Sequence, residues 1–94
     1  MRALFVGGTV DNSELDLDGV QPPAHYPQDS GGGRSRYRLH HVGLHDVGLH
    51  GQGKSDHDVA YAVYAAPDMA DAEVERIVDE RGYARRFKAT PAAA

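Results

Sequence analysis

Two alternating strand-like stretches in the first half, one well-punctuated helical stripe near the end and Gly/Pro-rich connections predict an α+β domain. The expected architecture is a mainly antiparallel sheet of about five strands with one helix packed on one face. Residues 1–89 make this single domain, with flexible loops at 21–34 (Pro/Gly-rich) and 43–57 (His/Gly-rich) and a disordered tail at 90–94.

The elements follow in chain order. Arg2 to Val6 is a short apolar strand stopped by Gly7-Gly8, where a chain turns at little steric cost. Asp11-Asn12-Ser13 is a cluster of turn formers. Glu14 to Asp18 alternates strictly, with Leu15 and Leu17 inward and three carboxylates outward, so the two segments read as a hairpin. Pro22, Pro23 and Pro27 deny backbone donors and Gly31-Gly32-Gly33 offers nothing to pack, so 21–34 reads as a loop. Ser35 to Val42 alternates again, with Tyr37, Leu39 and His41 on one face and Arg36, Arg38 and His40 on the other. Were this strand next to the acidic one, Arg36 and Arg38 would face Glu14, Asp16 and Asp18.

Val59 to Ala66 is rich in Val and Tyr and reads as a strand ended by Pro67. Asp68 is placed as an N-cap, and Asp71 and Glu73 load the first turn with charge that suits the helix dipole. Ala70, Val74, Ile77 and Val78 share one helical stripe. Gly82 stands where a left-handed C-cap belongs, with Tyr83 positioned to pack back on Val78. Tyr83 to Lys88 alternates and reads as a last strand, after which Thr90 to Ala94 frays.

Composition bounds the function classes. Leu, Ile, Val and Phe make up only about a fifth of the 94 residues, a lean core for one small domain. The net charge of −4 is too low to favour disorder. No apolar run approaches the ~20 residues of a membrane span, and the stretch after Arg2 is too short for an export signal, so a cytoplasmic protein is expected. Cys is absent, which removes disulfides and thiolate chemistry. Acidic and basic blocks alternate along the chain, and a pI near 5.8 argues against nucleic acid as a partner.

Two motifs bear on chemistry. Gly48 to Ser55 matches G-x-x-x-x-G-K-S, in which glycine N–H groups cradle phosphates, Lys54 reaches the terminal ones and Ser55 ligates magnesium. The match lacks its context, because Asp56-His57-Asp58 sets carboxylates where phosphates would sit and the next element reads as a strand. A Gly-rich hairpin loop explains it, and no cofactor is expected.

Histidine gives the second pattern. Four of the six histidines fall between 40 and 50, within the imperfect repeat His41-Val-Gly-Leu-His45 and Asp46-Val-Gly-Leu-His50. Imidazole suits zinc or nickel, so His40, His41, His45 and His50, with Asp46 or Asp58, are the candidate metal ligands. Gly43 and Gly48 disfavour a helix there, and on a strand a five-residue period alternates faces, so a solvated loop is the simpler reading. No nucleophile sits in a recognisable turn, and no dinucleotide fingerprint follows Gly7-Gly8.

The opening Met1 to Gly8, Arg36-Tyr-Arg-Leu39 and Ala66-Pro-Asp-Met with Glu-Arg-Gly-Tyr83 resemble small proteins of bacterial mobile elements, from prophages or integron gene cassettes. The resemblance implies an accessory protein and carries no activity with it. Together these readings favour a non-enzymatic protein-interaction module acting as a homo-oligomer, dimer or higher, whose shared surfaces would supplement a lean core. The alternative is a metal- or small-ligand-binding protein, conceivably an enzyme, built on segment 40–58 with Lys54.

Overall fold

The computed structural model describes residues 1–18, 21–26, 37–45 and 59–93. Its elements are β1 (Arg2–Val6), a single 3-10 turn (Gly8–Val10), β2 (Glu14–Asp16), β3 (His25–Tyr26), β4 (Tyr37–His45), β5 (Val59–Ala65), α1 (Asp71–Arg81), α2 (Tyr83–Phe87) and β6 (Ala89–Ala93). The fold is α+β, a six-stranded, mostly antiparallel sheet with one main helix.

The strands run in the order β2-β1-β5-β4-β3, and β6 also pairs with β4. β1 and β5 are parallel, while every other pairing is antiparallel. The long β4 shares its outer edge: Tyr37 and Arg38 pair with β3, and His41 to His45 pair with β6. The near-continuous apolar runs of β1 and β5 follow from burial on both faces. On the helix side Leu4, Val6, Tyr61, Val63 and Ala65 meet Val74, Val78 and Tyr83. On the other side Ala3, Phe5, Ala62 and Tyr64 form a second cluster with Tyr26, Tyr37 and Leu39 against it. There Phe5 stacks on Tyr64 at 5.7 Å between centroids, and the Tyr64 hydroxyl donates to the Pro23 carbonyl at 2.8 Å.

Gly82 takes a left-handed conformation (φ 64°) and closes α1, as its place after the apolar stripe predicts. The next segment departs from expectation. Tyr83–Phe87 is a short helix and not a strand, because Tyr83 and Phe87, four residues apart, both turn onto Tyr61. The same inward–outward alternation fits either period over so few residues.

The tail differs as well: residues 90–93, expected to fray, belong to β6, since β4 offers an open ladder from His41 to His45. Two residues of the Pro-rich loop pair as β3, and 43–45, expected in a loop, are the end of β4. The remainder of both loops lies outside the described residues. The N-cap of α1 is Ala70 and not Asp68, although Asp71 and Glu73 do occupy the first turn.

The acidic strand is not a neighbour of β4, because β1 and β5 lie between them. Glu14 instead accepts from Arg86 at 2.6 and 2.8 Å, and Asp16 pairs with Arg2 at 3.3 Å. No described helix is long and apolar enough to cross a membrane.

Candidate metal centre

A β-bulge in β4 makes the site. Leu39 pairs with Tyr64 and His41 with Val63, so His40 is an extra residue with no opposite number on β5. Regular alternation would put His41 on the face of Tyr37 and Leu39. The bulge resets the phase, so that His40 and His41 both turn toward α1 while Val42 returns to the other side. A second register shift follows Gly43, which leaves Ala60 and Tyr61 both on the helix side. Gly43 itself is required, since a Cβ there would run into the Tyr61 ring.

From the opposite layer, α1 supplies Asp71 and Glu75, one turn apart and therefore on one face. His40 Nε2 donates to Glu75 Oε2 at 2.5 Å, and His41 Nδ1 donates to the same oxygen at 3.1 Å. His40 Nδ1 looks the other way, 3.7 Å from Asp71 Oδ1, and Asp71 is held in turn by Arg38 at 3.0 Å. Arg38 also donates to the Met69 carbonyl at 2.6 Å, fixing the strand against the approach to α1.

The electrostatics favour ligand forms. Burial pushes the His41 imidazole below its ordinary pKa, against the pull of Glu75, so it is neutral at neutral pH. Hydrogen bonding from His40, and then from His41, holds the Glu75 carboxyl below the usual range despite partial burial. His41 is almost wholly enclosed, and its Nε2 has no partner among the described groups; the Tyr61 hydroxyl nearby has none either. The two rings lie edge to face with centroids 6.1 Å apart.

His40, His41 and Glu75 each offer a donor atom within 4.8 Å of the others. Bonds of about 2.0–2.2 Å from zinc to nitrogen and oxygen set tetrahedral ligand separations of roughly 3.3–3.5 Å. The His41–Glu75 spacing of 3.1 Å is close to that, and His40 needs only a small withdrawal. Asp71 stands beside the Nδ1 side of His40 at 3.7 Å, an ion-pair distance and not a hydrogen bond, with Arg38 anchoring it.

Of the four histidines read from sequence as ligands, His40 and His41 come together here. His45 is exposed at the end of β4, opposite Ala89, and is not among the three clustered residues. His50 lies outside the described residues, as do Asp46, Lys54, Asp58 and the Gly48–Ser55 motif. Sequence reasoning missed Glu75 and Asp71. Their signal was the i, i+4 acid pair on the helix, complementary to the Arg38–His40 face of the strand. Compared with protein-family models, curated proteins and solved structures, the chain finds no match.

Proposed function

We propose that this protein binds a divalent transition-metal ion through His40, His41 and Glu75, with zinc(II) best suited to the donor set. The observation that supports the reading is the bulge, which turns two consecutive imidazoles onto one carboxylate oxygen. Two imidazoles and a carboxylate are borderline-hard donors that suit zinc or iron(II). Asp71, 3.7 Å from His40 Nδ1, adds a nearby negative charge that suits a bound cation.

Isothermal titration with zinc(II) tests it. One ion per chain is expected, retained in His45→Ala and His50→Ala and lost in Glu75→Gln. Zinc at a hundred times its Kd would also raise stability by about 2.7 kcal/mol. Binding that survives Glu75→Gln and disappears with His45 and His50 overturns the reading.

A second reading keeps the protein as a non-enzymatic interaction module that forms homo-oligomers. Val10 and Leu15, 40% and 39% exposed at the β1–β2 end of the sheet, favour it. Antiparallel self-pairing of β2 about Leu15 would set Glu14 against Asp16, so the contact would run through side chains and not the strand edge. A cytoplasmic location and an accessory role in a bacterial mobile element accompany this reading. Sedimentation velocity tests it: a dimer is expected, dissociated by Leu15→Lys, and a monomer at every concentration would end it.

A further inference from the structure

Resting on the metal reading, we infer that the bound ion takes a small carboxylate as an exogenous ligand, with Arg85 gripping that ligand's second oxygen. Three protein donors leave a tetrahedral ion one vacant position and an octahedral ion three. Two clefts, about 250 and 310 Å³, both reach His41, Glu75 and Pro91, so the open side of the cluster faces a space large enough for a small molecule. Arg85, on α2, lines the smaller one together with His41 and Glu75.

Arg85 is also distinct in its pairing. Arg2, Arg38, Arg76, Arg81 and Arg86 each engage a carboxylate, and Arg85 alone finds none among the described residues. An exposed guanidinium with no carboxylate of its own among the described residues, lining the same cleft as the cation's ligands, selects for an anion that can share two oxygens between the two charges. A carboxylate fits: one oxygen goes to the ion and the other to the fork of Arg85. Charge agrees, since a divalent ion with Glu75 leaves one positive charge and Arg85 adds another. Asp79, lining the same cleft, returns one negative charge, so the cleft stays net positive by one and accepts a monoanion. Asp79 also supplies an acceptor for an ammonium or hydroxyl group on the ligand, and its charge repels the additional negative charge of doubly ionised phosphate and sulfate.

Cobalt(II) in place of zinc makes the inner sphere visible. The wild-type protein, loaded with cobalt(II), is titrated with acetate and with glycine, and the visible d–d bands are followed. Saturable band shifts are expected, weakened about tenfold or more in Arg85→Gln, the lower end of what one charge-assisted hydrogen bond supplies, with cobalt affinity unchanged. Bands that neither probe moves overturn the carboxylate ligand, bands that move equally in Arg85→Gln overturn the part of Arg85, and either result leaves the metal site standing. Absence of any cobalt spectrum in the wild type overturns both. Inorganic phosphate shifting the bands at lower concentration than acetate overturns the choice of carboxylate.

Discussion

At the β1–β2 end arginines of the helical layer grip carboxylates of the sheet side, whereas at the β4 bulge histidines of the sheet, with Arg38 beside them, meet carboxylates of α1. Arg81 reaches both oxygens of Asp11 at 2.9 Å and donates to the Tyr83 hydroxyl at 3.1 Å, while Arg86 holds Glu14 by two bonds. Each guanidinium there places both terminal nitrogens on protein oxygens. At the bulge two imidazoles share one oxygen of Glu75, and a buried His41 nitrogen and the Tyr61 hydroxyl have no partner among the described residues. The difference teaches what sets a structural clamp apart from a candidate site in one small protein: the clamp pairs each carboxylate with a guanidinium, and the candidate site brings two imidazoles onto one oxygen beside buried polar atoms without a described partner.

The largest expected effect is at the floor of the bulge. Tyr61 is wholly buried against Tyr83, Phe87 and His41, so Tyr61→Ala should cost about 3–5 kcal/mol in urea unfolding and abolish zinc binding as well. Loss of stability with zinc binding intact would mean that the imidazoles do not need this floor.

At the clamp, Arg81→Met should cost about 1 kcal/mol, because Asp11 is partly solvated. That cost should shrink in high salt, and the zinc response should be untouched. An equal loss of zinc affinity would show that the two regions are not independent.

Acid separates the clamp by sign. A backbone N–H of Gly7 and then Arg81 hold Asp11 below its usual 3.8, and Arg86 holds Glu14 below 4.5. Their folded pKa values lie under the unfolded ones, so their contribution is complete above about pH 5 and is lost as the pH falls through the depressed values. Melting temperature should therefore fall more gently below pH 4.5 in Asp11→Asn/Glu14→Gln than in the wild type. Parallel acid profiles for the two proteins would remove these carboxylates from the account.

The smallest change sharpens the contrast most. Tyr61→Phe deletes a buried hydroxyl with no partner among the described residues, so stability should stay level or rise by up to about 1 kcal/mol. A drop of that size would show that the hydroxyl is hydrogen-bonded in solution.

Much of the framework was legible in the chain. The β1–β2 hairpin, the β5 strand, α1 with its Val74–Val78 stripe and the Gly82 cap all follow from alternation, helical period and backbone freedom, although Leu15, expected inward, is exposed on the edge strand β2. The candidate site was half legible: His40 and His41 stood out by composition, yet strict alternation assigned them to opposite faces. Glu75 was one acid among fourteen. The α2 helix and β6 were misread because local pattern over five residues does not distinguish periods, and a vacant ladder on β4 recruits whatever chain reaches it.

Local sequence thus determined which segments extend, coil and turn, since those choices rest on side-chain sterics and on contacts between near neighbours. Tertiary structure alone decided that β1 runs parallel beside β5, that Arg86 and not Arg38 answers Glu14, and that an extra residue at His40 brings two imidazoles onto Glu75. Register and bulges are settled by how two faces of a sheet fill at once, and only the assembled layers carry that information.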